Sequence, residues 1–249
     1  MEYNIKQYLD ATYLKTAEQA KLSEKENTVV IESNINEAIK EDFKLIMIRP
    51  EYVALAKKKI VGAKSKVLVG TVIDFPKGQQ GIDYKLIEAE KAINDGADEL
   101  DYVVDYEAFK LGKIDYIKEQ VLNGTRLGLN NNKIVKWIIE IAALSDGQII
   151  QLTVLIKNIV LSNFKENQFD KVFVKSSTGF YVTTDGSPNG ATFPAIVLML
   201  ENAFPLSVKA SGGVKNREDA IKMIKLGVKR IGTSSAKDIV NGANSNFDY

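Results

Sequence analysis

Lys44-Leu45-Ile46-Met47-Ile48-Arg49-Pro50, then Glu51 to Val61, Gly62, and Lys66-Val67-Leu68-Val69-Gly70-Thr71-Val72-Ile73, form the stretch that decides the fold. The first apolar run is short enough for a buried strand, and Arg49-Pro50 closes it. Pro50 suits the first position of a helix, where its missing N–H would have had no partner, and Gly62 suits the end. The second run is again short, apolar and rich in Val and Ile, so the unit reads strand–helix–strand. Strands joined through a helix lie parallel in one sheet.

The pattern repeats on both sides. Asp74-Phe75-Pro76-Lys77-Gly78 ends the second strand of this unit, and a helix from about Asp83 to Asn94 follows, with Ile87, Ala89, Ala92 and Ile93 expected toward the core. Strands are expected at Asp98–Asp105, Lys133–Ile139, Lys171–Val174, Leu206–Ala210 and Lys229–Ile231. Helices alternate with them at Asp115–Leu122, Gly147–Val160, Phe193–Asn202 and Arg217–Lys225, and a short last one starts near Ser235. Upstream, Gln7-Tyr8-Leu9 before Asp10 supplies a further strand, and Ser23 with Glu26 reads as a capping box opening a helix. Eight such units in 249 residues predict an α/β fold, a closed (β/α)8 TIM barrel forming one domain over 1–249. The alternative, an open doubly wound sheet, lacks a G-x-G-x-x-G turn after its first strand.

Composition narrows the chemistry. Hydrophobic residues make up 45% and charged residues 26%, as in an ordinary globular domain. Lys and Arg number 33 against 32 Asp and Glu, so no basic excess points to nucleic acid. Lys57-Lys58-Lys59, the densest basic run, reads as helix surface. No apolar stretch reaches membrane-spanning length and Met1-Glu2-Tyr3-Asn4 lacks a signal-peptide order, so a cytoplasmic protein with no membrane partner is expected. Cys and His are both 0, which excludes disulfides, thiolate nucleophiles, Ser-His-Asp devices and His-ligated metals. Acid–base work falls to Lys, Asp, Glu, Tyr or water; an all-oxygen Mg²⁺ site stays allowed.

Active sites of such barrels lie at the C-terminal ends of the strands. The polar residues there are Asp10, Asp74, Asp101, Asp105, Glu140, Lys175 with Ser176-Ser177-Thr178-Gly179, Lys209 with Ser211-Gly212-Gly213, and Gly232-Thr233-Ser234-Ser235. Lys175 and Lys209 interrupt apolar strands and fall on neighbouring ones. Desolvation and mutual repulsion are expected to lower the pKa of a lysine so placed, which is one way to make a Schiff-base amine. Asp101 alternates with Leu100 and Tyr102, so it points inward either as the partner of a lysine such as Lys136 or as a proton shuttle. Asp10 has the same two readings, a structural one that caps the following loop and a catalytic one. The segments Gly212-Gly213-Val214-Lys215 and Gly232-Thr233-Ser234-Ser235 open the last two helices, where backbone N–H groups suit a phosphate.

Val174-Lys175-Ser176-Ser177-Thr178-Gly179-Phe180, Val208-Lys209-Ala210-Ser211-Gly212-Gly213-Val214 and Arg230-Ile231-Gly232-Thr233-Ser234-Ser235 resemble the deoxyribose-phosphate aldolase family. Gly96 to Asp101 and Leu9 to Leu14 resemble it too, in order, across nearly the whole chain. The resemblance implies a metal-free class I aldolase without cofactor, cleaving 2-deoxy-D-ribose 5-phosphate to acetaldehyde and D-glyceraldehyde 3-phosphate. It implies Lys175 as the Schiff-base lysine, Lys209 as the second lysine, Asp101 as proton donor and acceptor with a water, and Asp10 as a supporting acid. Thr178, Gly179, Gly212, Gly213, Ser234 and Ser235 then fall on the phosphate cradle, with Lys215 and Gly232 beside them. Ala11 stands where many relatives carry His, Phe180 where some carry Lys, and Met47-Ile48-Arg49-Pro50 where others have a Cys- or Asn-containing strand end. The expected partners are the sugar phosphate and acetaldehyde, with a homodimer as the assembly considered. The polar tail 242–249 is expected to be mobile, with Tyr249 folding over the site. A transaldolase, a longer-chain sugar-phosphate aldolase and a non-catalytic sugar-phosphate sensor are the competing readings.

Overall fold

Residues 3–242 are described by a computed structural model in which eight parallel strands close into one barrel in sequence order. The order is β1 (Leu9–Thr12), α1 (Ala17–Ala20), α2 (Glu24–Glu41), β2 (Leu45–Ile48), α3 (Val53–Gly62), β3 (Leu68–Ile73), α4 (Ile82–Asn94) and β4 (Glu99–Val103). It continues with α5 (Tyr106–Lys110), α6 (Ile114–Asn130), β5 (Ile134–Ile138), α7 (Asp146–Asn163) and β6 (Val172–Lys175). It ends with α8 (Phe193–Ala203), β7 (Ser207–Ser211), α9 (Arg217–Leu226), β8 (Arg230–Thr233) and α10 (Ala236–Asn241). β8 pairs with β1, setting Asp10 opposite Gly232, and this closes the barrel.

Alternation along each strand divides the side chains into two populations. Ile46, Val69, Leu100, Tyr102, Trp137, Val174, Val208 and Ile231 face outward and form the main core with the helices. Leu45, Met47 and Val72 form a separate apolar cluster with Leu14 on the inner side of β2 and β3. Val103 and Ile138 form another with Tyr106 at the ends of β4 and β5, and the charged side chains that carry the chemistry lie among these apolar groups.

Local signals placed most elements. Ser23 Oγ accepts from the Glu26 N–H at 3.2 Å while Glu26 Oε2 accepts from the Ser23 N–H at 2.9 Å, the capping box expected for α2. Lys57 and Lys59 lie on α3 and pair with Asp98 and Glu32 at 2.8 and 2.9 Å, as solvated helix surface. No helix among the described residues is long and apolar enough to cross a membrane.

Three expectations are corrected. Gln7 and Tyr8 belong to a 3₁₀ turn over Ile5–Tyr8 that buries Ile5, so the first strand starts at Leu9 and contains Asp10 instead of ending before it. Ile87 is 68% exposed, because the buried face of α4 runs through Lys85, Ala89 and Ala92. Lys85 tolerates this position by donating to Asp74 Oδ2 at 2.5 Å and to the carbonyls of Gly78 and Val103 at 2.9 and 2.8 Å. Finally, α6 runs on past Leu122 to Asn130 despite Gly124 and Gly128. Those glycines face the barrel wall: a Cβ on Gly124 would lie 2.9 Å from Trp137, and one on Gly128 2.2 Å from Val135. They set the helix close against β5 and do not end it.

Candidate active site

Lys175 is the last residue of β6, Lys209 the middle of β7 and Asp101 the middle of β4. The parallel register puts Lys175 beside Lys209, and both point inward. Their Nζ atoms each lie 2.9 Å from the same oxygen, Asp101 Oδ2. The other oxygen, Oδ1, is 2.7 Å from Lys136 Nζ. Both readings of Asp101 therefore meet in one side chain, which pairs with Lys136 and bridges the two lysines.

Asp10 lies across the barrel, with Oδ2 2.5 Å from Lys209 Nζ and Oδ1 2.5 Å from Arg230 Nη2. Its carboxylate is fully buried between these two cations inside the barrel, so the capping reading gives way to an ion-pair one. Arg230 also reaches Glu99 at 2.8 Å, and Glu99 reaches Lys136 at 2.5 Å. Sequence reasoning misses Glu99 and Arg230, because active-site groups of such barrels are expected at the C-terminal strand ends and both residues start their strands. A signal existed: each sits two residues before an inward candidate, Asp101 or Gly232, and a period of two puts them on the same face.

Electrostatics separates the two lysines. Burial lowers the Lys175 pKa; Asp101 opposes this, Lys209 and Lys136 add to it, and the result is about 8. Burial acts the same way on Lys209, but Asp10 and Asp101 outweigh it and raise its pKa, so Lys209 stays an ammonium. The expectation that both lysines are depressed is thus corrected for Lys209, which has two carboxylates where Lys175 has one. Burial opposes the charge of Asp101, yet Lys136, Lys175 and Lys209 hold its carboxyl well below the usual range.

The loops after β6, β7 and β8 gather the expected cradle. Gly179, Gly212 and Gly213 all have positive φ, and Gly212 packs so closely on Gly190 that a Cβ would lie 2.9 Å from the Gly190 Cα. Gly213 and Lys215 line a cavity of about 900 Å³ with the segment from Tyr181 to Pro194. Ser235 is buried just before α10, whereas Ser234 faces solvent. Two cradle candidates have other contacts. The Thr178 hydroxyl donates to Glu140 Oε2 and accepts from the Phe180 N–H at 3.0 Å. Gly232 lies within β8 against Lys209, where a Cβ would sit 3.1 Å from the lysine Cε. Tyr249 lies outside the described residues.

The departures in sequence have clear places. Ala11 packs on the outer core, away from the charged interior. Met47 joins the inner apolar cluster. Arg49 donates through Nε to the Leu14 carbonyl at 2.7 Å and lies 5.4 Å over the Phe75 ring, which meets Phe180 edge-on at 5.1 Å. These residues tie the loops after β1, β2, β3 and β6 together at the mouth.

No family model matches the chain. Deoxyribose-phosphate aldolase from Caldicellulosiruptor saccharolyticus is 35% identical over 239 residues, covering 95% of this chain and 97% of that protein. Among solved structures, an aldolase designated QR15 superposes with a TM-score of 0.78 at 31% identity, over 96% of each chain. The tetrameric deoxyribose phosphate aldolase of Aeropyrum pernix superposes with a TM-score of 0.75 at 25% identity, over 95% of this chain and 89% of that one. Similarity of this extent, on a barrel whose inward lysines and carboxylate meet at one point, means that the chain belongs to the deoxyribose-phosphate aldolase family of carbon–carbon lyases.

Proposed function

We propose that the chain cleaves 2-deoxy-D-ribose 5-phosphate reversibly to acetaldehyde and D-glyceraldehyde 3-phosphate through a Schiff base on Lys175. The observation that carries this reading is a buried amine with a pKa of about 8, hydrogen-bonded at 2.9 Å to a carboxylate shared with an ammonium. An aldolase must stabilise a carbanion, and an iminium does so by taking up the electron pair. The neutral Lys175 amine attacks C1 of the open-chain aldehyde, and loss of water from the carbinolamine leaves the iminium. The C3 hydroxyl gives up its proton through a water to Asp101, the C2–C3 bond breaks, and its electrons enter the iminium to form an enamine. D-Glyceraldehyde 3-phosphate leaves, C2 takes the proton back from Asp101 through the water, and a second water releases acetaldehyde and restores the amine.

Lys209 is the ammonium beside the reacting nitrogen and stores the proton that the water-losing step needs. Asp101 is ionised at rest among three lysines, orients Lys175 and Lys209, and takes and returns the proton through a water. Asp10 supports Lys209 from the far side. The phosphate is placed at Gly179, Gly212, Gly213, Lys215 and Ser235, over the loops that follow β6, β7 and β8. The protein is proposed to act in the cytoplasm, as an assembly of copies of itself; light scattering distinguishes a dimer from the tetramer described for the Aeropyrum pernix relative.

Incubation with acetaldehyde and borohydride, followed by digestion and mass spectrometry, tests the reading. A single reduced adduct on Lys175, with release of acetaldehyde from deoxyribose 5-phosphate, is the expected result. An adduct on Lys209 reverses the two lysine roles. Scattered surface labelling without cleavage overturns the proposal.

A further inference from the structure

Six ionisable side chains inside the barrel close into a ring whose sign alternates at every step. Glu99 meets Lys136 at 2.5 Å, Lys136 meets Asp101 at 2.7 Å, and Asp101 meets Lys209 at 2.9 Å. Lys209 meets Asp10 at 2.5 Å, Asp10 meets Arg230 at 2.5 Å, and Arg230 returns to Glu99 at 2.8 Å. Three carboxylates face three cations, so the ring is neutral by itself. Every ring member bridges two neighbours. Lys175 is the seventh group, attached through Asp101 alone, and as an ammonium it would make four cations against three anions.

We infer that Glu99 and Arg230 are positioning residues that complete this charge balance and thereby leave Lys175, of all the interior cations, as the one that gives up its proton. The inference rests on the reading of Lys175 as the Schiff-base amine. A surplus charge in a low-dielectric interior is unfavourable, and it is relieved where a proton is held least firmly. Arg230 does not deprotonate, and Lys136 and Lys209 each lie between two carboxylates. Only Lys175 remains. Glu99 and Arg230 have no ion pair with Lys175, so they act through the ring.

The charged groups facing Lys175 are Asp101 from β4, Lys136 from β5, Glu140 from the loop after β5, and Lys209 from β7. β1 and β8 reach it through Asp10 and Arg230, which bind Lys209 and each other. β2 and β3 contribute the uncharged Leu45, Met47 and Val72. No other carboxylate in this set can replace Glu99 in the ring.

The sign of the effect is the test. Glu99→Gln removes an anion, so Lys175 loses its proton more readily; Arg230→Gln removes a cation, so Lys175 holds its proton more firmly. The readout is the rate of borohydride-trapped acetaldehyde adduct at Lys175 against pH, on the full chain, with folding checked by circular dichroism. The acid limb of that profile is expected to move down by about one pH unit, or roughly tenfold in proton affinity, in Glu99→Gln, and up by a similar amount in Arg230→Gln. The double variant removes one charge of each sign, and its limb is expected back at the wild-type position. A merely structural pair would instead lower the amplitude in all three variants without opposite shifts, and that result overturns the inference.

Where a single variant does not fold, Arg230→Lys and the double variant decide: both keep the balance, and a displaced limb in either overturns the inference. Absence of any Lys175 adduct in the wild type defeats the Schiff-base reading itself. An adduct in the wild type without opposite shifts defeats only the ring.

Discussion

Lys175 and Lys209 donate to one and the same oxygen, Asp101 Oδ2, each at 2.9 Å, although Lys175 lies 74 and Lys209 108 residues away from Asp101 in the chain. One carboxylate oxygen between two ammonium groups neutralises only one of them. The second carboxylate, Asp10, is on Lys209 alone, so the shared oxygen turns two chemically identical side chains into an amine that gives up its proton near pH 8 and a fixed cation. Asp101→Asn is therefore expected to lower kcat by about 10²–10⁴-fold, the range for losing a positioned proton-transfer group. It leaves three lysines around a neutral amide, and removal of one partner from a buried ion cluster is expected to destabilise the fold by about 3–5 kcal/mol. Steady-state kinetics and urea unfolding check both, and a kcat within tenfold of wild type would remove Asp101 from the proposed machinery.

Lys175 stands in the fold at the expense of stability. Its pKa falls from 10.5 to about 8, so its contribution to stability is fully present above 10.5 and is lost as pH falls through about 8. At neutral pH the folded state bears a penalty on the order of 3 kcal/mol from this one side chain. Lys175→Met is expected to abolish cleavage and yet to melt several degrees higher than wild type at pH 7, with the advantage shrinking as pH rises toward 10.5. A variant that melts lower at every pH would show that the lysine is a structural cation.

Local chemistry made much of this fold legible. Pro50 and Gly62 bracket the segment that carries α3, Ser23 caps α2, and each helix returns to a short apolar strand. The two lysines were legible because they interrupt apolar runs on neighbouring strands. What was not legible depends on facing partners. Gly124 and Gly128 look like breakers until Trp137 and Val135 are seen beneath them. Lys85 looks solvated until Asp74 and two carbonyls surround it. Arg230 and Asp10 are 220 residues apart, and no spacing rule joins them; only closure of β8 onto β1 does.

Glu140 follows β5, at positive φ just before a 3₁₀ turn, and its Oε2 accepts from both the hydroxyl and the N–H of Thr178, two residues past the amine's own neighbour. Burial raises its pKa to about 7 against those hydrogen bonds and the charge of Lys175. Because the folded value is raised, the associated stability is present below the ordinary value of 4.5 and is lost as pH rises through about 7. Wild-type melting temperature is expected to fall across that window, and Glu140→Gln, which keeps an acceptor for Thr178, is expected to flatten the fall. Parallel curves for the two proteins would place the titration elsewhere.

Lys85 anchors the loop after β3 from below, through Asp74 Oδ2, which also accepts from the Gln80 N–H at 2.8 Å. Lys85→Met strands a carboxylate that is only 8% exposed and frees two buried carbonyls, so about 3–5 kcal/mol of destabilisation is expected. Lys85→Met combined with Asp74→Asn is expected to recover part of the loss, because the amide has no charge to bury. Urea unfolding of the two variants decides; equal losses would mean that the lysine's carbonyl contacts matter and the ion pair does not.

Two glycines separate binding from chemistry at the barrel mouth. Gly212, at φ +78°, has the Gly190 Cα 2.9 Å from where a Cβ would sit, so alanine strains the loop and pushes backbone apart. Gly232 is in β8 with ordinary backbone, and its missing Cβ makes room for the Lys209 side chain at 3.1 Å. Gly212→Ala is expected to raise KM for the sugar phosphate about tenfold or more while sparing the rate of adduct formation with unphosphorylated acetaldehyde. Gly232→Ala is expected to do the reverse: Lys209 is displaced from Asp101, so adduct formation slows while phosphate affinity is kept. Comparing both variants with phosphorylated and unphosphorylated substrates reads the split directly. If Gly212→Ala slows acetaldehyde adduct formation as much as it weakens sugar phosphate binding, the loop after β7 supports the lysines, and the phosphate must be held elsewhere.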